Sequence, residues 1–119
     1  MWSTVRLAKN KKYIEVAACS NMTSEIATRG QYEALKLAKQ HNLNGILVDV
    51  RSVRNEMTPF DDVQFADDSA KSPESVPFKI AILRAPDDES HDFIETAGSN
   101  RGLTFKIFTD EDEAITWVS

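Results

Sequence analysis

The residues best placed to do chemistry follow two apolar runs. Gly45 to Val50 reads Gly-Ile-Leu-Val-Asp-Val and leads into Arg51-Ser52-Val53-Arg54, while Phe78 to Ala85 carries Arg84 near its end, just before Asp87. An aspartate with several arginines at strand ends can line a polar pocket, or can form a salt-bridge network that closes the edge of a sheet. Asp49, Arg51, Arg54, Thr58 and Arg84 therefore form the candidate rim for a ligand or partner, and ion pairing is the simpler of its two readings.

Other chemistries lack their parts. There is no Gly-x-Ser-x-Gly elbow, and the two histidines, His41 and His91, both fall in stretches that read as helix. His41 suits a polar helix end, and His91 sits on a helix flank as a partly exposed residue. Asp61-Asp62, Asp67-Asp68 and Asp110 to Glu113 read as solvated or dipole-favoured charge rather than metal ligands. The four glycines include no Gly-x-Gly pair, so no nucleotide loop is present. Cys19 is the only cysteine, which excludes an internal disulfide and a thiolate cluster, and it reads as a small residue at a strand end. No catalytic residue, metal or cofactor is expected.

The elements that must position the rim follow from periodicity. Trp2 to Ala8 and Tyr13 to Ala18 read as strands joined by the turn Lys9 to Lys12. Thr23 or Ser24 can cap a helix reaching His41, whose inward arc of Ile26, Ala27, Gly30, Ala34, Leu37, Ala38 and His41, with Leu35 at its margin, is small in volume and predicts close approach to a sheet. Gly45 to Val50 is too uniformly apolar for a half-exposed strand and suits the middle of a parallel sheet. Thr58-Pro59 opens a weak helix with an inward stripe of Phe60, Val63, Ala66 and Ala70 and with Phe65 on the far side, a candidate lid, before the loop Ser72 to Pro77. Phe78 to Ala85 is the next buried strand. Pro86-Asp87-Asp88-Glu89 predicts an acidic helix start running to about Asn100, burying Phe93, Ile94 and Ala97. Leu103 to Phe108 is a final strand, and Thr109 with Asp112 opens a last helix that buries Ala114, Ile115 and Val118. Trp2 and Trp117 could together cover one edge, or one could lie in a dimer contact.

The order ββαβαβαβα predicts a single α/β domain over residues 1–119, with a mostly parallel five-stranded sheet and an antiparallel N-terminal edge. At 119 residues only one core fits. The net charge of -5, from 19 acids and 14 bases, argues against nucleic acid. With no membrane-length apolar run and no signal-peptide pattern, a cytoplasmic protein is expected.

Three stretches carry a family resemblance: the strand ending Asp49-Val50-Arg51, the segment Phe93-Ile94-Glu95-Thr96-Ala97-Gly98-Ser99-Asn100-Arg101-Gly102, and the ending Phe108-Thr109-Asp110 to Trp117-Val118. Together with the element order they resemble the SpoIIAA-like proteins, small bacterial domains related in fold to STAS domains and similar to CRAL-TRIO lipid-binding domains. The resemblance implies a non-enzymatic regulatory or protein-interaction domain, with a carrier of a lipid or other apolar small molecule as the alternative. In regulatory STAS domains a phosphorylated serine follows an Asp at the start of the helix after the central strand. Here that place reads Glu56-Met57-Thr58-Pro59, so Thr58 is the nearest hydroxyl, its capping role is sufficient, and the expectation is against phosphoswitching. An exposed sheet edge leaves homodimerisation open.

Overall fold

A computed structural model describes residues 3–75 and 77–119. Trp2 and Val76 lie outside the described residues, so the expected pairing of Trp2 with Trp117 does too. The chain runs β1 (Ser3–Leu7), β2 (Ile14–Ala18), α1 (Ser24–Gln40), β3 (Gly45–Asp49), α2 (Pro59–Lys71), β4 (Lys79–Leu83), α3 (Phe93–Ser99), β5 (Thr104–Phe108) and α4 (Glu111–Val118). One five-stranded sheet has the spatial order β1-β2-β3-β4-β5. The β1–β2 pair is antiparallel and the remaining pairs are parallel, which puts Gly45–Asp49 at the centre.

The topology explains where the helices lie. Each parallel crossover steps one strand in the same direction, and right-handed crossovers of that kind place successive helices on one face. Accordingly Ala34, Ala38, Ala66 and Ala97 of α1, α2 and α3 share one core with Val16, Ile46, Ile80, Ile82 and Phe105. The opposite face has only α4, whose Ala114 and Val118 pack with Tyr13, Leu47, Ala81, Leu83 and Phe108. Beyond α4 that face is polar, and Arg6 pairs there with Glu15 at 2.8 Å.

Close approach depends on small residues. α1 buries Ile26, Gly30, Ala34 and Ala38 of its predicted inward arc, while Ala27 and Leu37 are half-buried and His41, at the helix end, is exposed; Thr23 caps the helix by accepting from the Ile26 N–H. Asn42 supplies the left-handed turn after α1, at φ 54°. At Gly45 a Cβ would stand 2.0 Å from the Val118 carbonyl oxygen, so only glycine lets α4 seat against β3.

The predicted helix from Pro86 forms only over Phe93–Ser99. The Arg84 guanidinium takes the Ala85 and Pro86 carbonyls at 3.0 and 3.1 Å, and Asp88 Oδ1 accepts from the Ser90 N–H. Both contacts divert backbone groups that a helix would need. Phe93, expected inside, is instead 42% exposed. On α2 the expected faces of two residues also exchange: Phe60 is exposed and Phe65 packs half-buried against the core, because the helix turns its Asp62–Ala66–Ser69 line inward.

Candidate ligand cavity

The cavity follows from the same small side chains. On the three-helix face, Val16, Ile46, Val48, Ile80, Ile82 and Phe105 present branched and aromatic groups, and α1 answers with Gly30 and Ala34. An interior packed to normal density would fill that gap. A partly open cavity of about 110 Å³ remains, lined on its outer side by Phe65 of α2 and by Met57 just before that helix. A Cβ at Gly30 would still find its nearest neighbours, Ser3 Oγ and Val16 Cγ1, at 3.9 Å.

One end of this apolar space is polar. Asn55, Asp62 and His91 all line it, and Asp62 and His91 are only 3% and 4% exposed. Asn55 holds the end together: its Nδ2 donates to the Ser90 carbonyl at 3.0 Å and to Asp62 Oδ1 at 3.4 Å, while its Oδ1 accepts from the Met57 N–H. His91 Nε2 lies 3.0 Å from the Val53 carbonyl. A carbonyl only accepts, so Nε2 carries the proton. Asp88 stands 3.5 Å from the same nitrogen.

Electrostatics separate the two carboxylates here. Burial pushes the Asp62 carboxyl above its ordinary range; the Asn55 hydrogen bond and His91 pull it down, and Asp61 pushes it further up. Asp88 goes the other way, held low by hydrogen bonding from Ser90, against its own desolvation and with help from His91 and Arg54. Asp62 has no ion-pair partner within 4.0 Å among the described residues, although it is the more buried of the two.

The residues of the predicted rim fall into separate groups. Asp49 and Arg51 pair at 2.7 Å, and Arg51 also reaches Glu111 at 3.0 Å, on the α4 side of the sheet. Burial alone would raise the Asp49 carboxyl, yet the Arg51 hydrogen bonds outweigh it and hold it low, and Arg51 is itself pushed up. Arg54 stands 3.5 Å from Asp88 and Arg84 pairs with Asp92 at 2.7 Å, both beside the turn that carries His91. Thr58 closes a capping box with Asp61: its hydroxyl accepts from the Asp61 N–H, and its own N–H is taken by the Asp61 carboxylate.

Asn55, Asp62 and His91 were not legible as a site. Asp62 reads as solvated charge and proves buried, because α2 turns it inward beside Ala66. His91 reads as a partly exposed helix residue and proves buried in a turn, because the helix begins two residues later. A strict helical count from Thr58, putting Asp62 in line with Ala66 and Ser69, was the one signal available.

Comparison with known proteins fits this geometry to a fold. No protein-family model matches the sequence, and no curated protein matches it. A solved structure does: an uncharacterized protein of the DUF3478 family with a SpoIIAA-like fold, from Shewanella loihica PV-4, superposes with a TM-score of 0.58 at 17% identity over 98% of this chain and 92% of that one. The fold is SpoIIAA-like. Within it, the three-helix face with the cavity and the α4 face with the Asp49–Arg51 pair are opposite surfaces of one sheet. No group of three or more potential metal-ligating side chains occurs among the described residues, and no helix of these is long and apolar enough to cross a membrane.

Proposed function

We propose that this SpoIIAA-like domain is a non-enzymatic binding module that takes a small, mostly apolar molecule into the cavity under α1 and α2. The observation that carries the reading is an apolar cavity of about 110 Å³ with the half-buried Asn55 and the buried Asp62 and His91 at one end. Apolar walls with a few converging polar groups are the usual composition of a ligand site. Size limits the occupant. A dry cavity near 150 Å³ accepts a benzene-sized molecule, so this one suits a single small ring or a short branched chain. A full lipid tail would require α2 to move. That motion is in reach, because α2 fully buries no apolar side chain larger than Ala66, whereas each fully buried Leu or Phe would hold it by roughly 1.5–3 kcal/mol.

Native mass spectrometry of freshly purified protein tests the reading. A co-purifying mass that is lost on denaturation and confers added thermal stability when restored is expected. A bare chain in repeated preparations, unshifted in melting temperature by small hydrocarbons near their solubility limit, would overturn it.

A second reading, a protein partner bound at the rim, has its own observation. Phe60 is 74% exposed in the first turn of α2 and Phe93 is 42% exposed in the first turn of α3. As crossover helices, both begin at the C-terminal edge of the sheet, the edge that carries Arg54 and Arg84. Loss of a specific captured partner in Phe60→Ala would support it; capture unchanged by Phe60→Ala and Phe93→Ala would remove it.

A further inference from the structure

We propose that the ligand's polar end is a cationic amine, seated against the Asp62 carboxylate at the polar end of a mostly apolar cavity. The inference rests on the cavity reading above and adds the chemical class of the occupant.

Three observations point to a cation. Asp62 lines the cavity and is 3% exposed, so its carboxylate has lost nearly all of its water. Within the protein it receives one long hydrogen bond, 3.4 Å from Asn55 Nδ2 to Oδ1, and some help from the nearby His91, while among the described residues Oδ2 has no hydrogen-bond partner. Four arginines are engaged with other carboxylates: Arg54 with Asp88, Arg84 with Asp92, Arg101 with Asp67, Arg51 with Asp49. A buried carboxylate that lacks a countercharge is costly, and a partner that brings positive charge and N–H donors together recovers that cost.

The neighbouring groups sharpen the choice. Asn55 has committed its amide to Ser90, Asp62 and Met57. His91 has committed Nε2 to Val53, with Asp88 beside it. The donors that could greet an anionic head are thus occupied, and a ligand carboxylate would face Asp62 directly. A fatty acid entering head-first is therefore disfavoured, although its tail would suit the walls. An ammonium instead meets Asp62, with Asp61 on the same helix adding negative potential. The walls leave room for about one small ring behind it.

Affinities from NMR titration of the folded domain at neutral pH decide this, with three ligands of matched shape: cyclopentylamine, methylcyclopentane and cyclopentanecarboxylate. The amine is expected to bind at least tenfold more tightly than the hydrocarbon, the carboxylate more weakly than either, and Asp62→Asn is expected to abolish the amine's advantage while leaving the hydrocarbon within about twofold. Amide shifts at Val48, Ile82 and His91 would place the amine in the cavity. An amine no tighter than the hydrocarbon, a carboxylate that binds best, or an amine advantage that survives Asp62→Asn would each overturn the inference and leave the cavity reading intact. Binding of none of the three would overturn both. Should Asp62→Asn fail to fold, the rank order in the native protein and the location of the shifts decide alone.

Discussion

His91 Nε2 donates to the Val53 carbonyl across 3.0 Å in a setting where both residues are buried, so one hydrogen bond ties the turn before α3 to the loop after the central strand. Asn55 reinforces the same junction through Ser90. His91→Ala would remove this donor, strand the Val53 carbonyl and enlarge the cavity, a loss of roughly 2–4 kcal/mol from hydrogen-bond and cavity contributions together. Urea unfolding measures it, and His91→Gln, which keeps an N–H donor, should recover part of the loss. A loss below about 0.5 kcal/mol for the alanine variant would show that the junction does not depend on His91.

Gly30 offers the opposite case. An added methyl has ordinary clearance, 3.9 Å to Ser3 Oγ and Val16 Cγ1, and glycine inside a helix costs about 1 kcal/mol relative to alanine. Gly30→Ala should therefore stabilise the domain by roughly 1 kcal/mol and also narrow the cavity. Chemical denaturation and ligand titration on the same samples test both halves: higher stability with unchanged affinity would mean that ligands bind somewhere else.

Asp62 predicts a pH dependence of a particular sign. Its folded carboxyl titrates above its unfolded value because of burial, so the folded state holds its proton more tightly, and the stability this gives is present below the unfolded pKa and lost as pH rises through the folded one. Asp62→Asn should thus gain stability relative to the native protein as pH rises across that window. Asp88 is displaced in the other direction, so Asp88→Asn should lose stability at neutral pH and lose less in acid. Urea titrations from pH 4 to 8 would contradict the assignment if the two variants moved in parallel.

At Gly45 the constraint is the backbone of another element. Because a Cβ there would lie 2.0 Å from the Val118 carbonyl oxygen, Gly45→Ala must displace α4, at a cost in the range of core overpacking, roughly 1–3 kcal/mol or more. Trp117 fluorescence reports it, since that ring packs 5.6 Å from Phe108 and under Lys79. An unchanged emission spectrum with native stability would show that α4 seats differently.

What the sequence made legible was set by periodicity. The Ile-Leu-Val run of β3, the small stripe of α1 and the alternation of β2 each report burial by a repeating pattern, and each element lies where that pattern puts it. The same pattern also fixed the central position of β3 and the antiparallel β1 edge. Single-residue events carried no such signal. Asp88 and Arg84 cap backbone groups between Ala85 and Ser90, so an apparently good helix start becomes a turn, and that shift is what buries His91 and exposes Phe93. The small stripe of α1 pointed to close approach to the sheet, and only the weak apolar face of α2 pointed to a covered pocket. Its polar end was not, because Asn55 sits in an irregular loop and Asp62 looks like its solvated neighbours until the rotation of α2 is known.

The central claim is that the space beneath Gly30 and Ala34 is a binding site rather than a packing gap, and a backbone amide titration of the native domain with methylcyclopentane tests it most directly. The account predicts saturable shifts concentrated at Val16, Ile46, Ile80, Ile82 and Phe105 and strongly reduced in Gly30→Ala. Shifts absent up to the solubility limit, or scattered over the exposed face of α4, would contradict it.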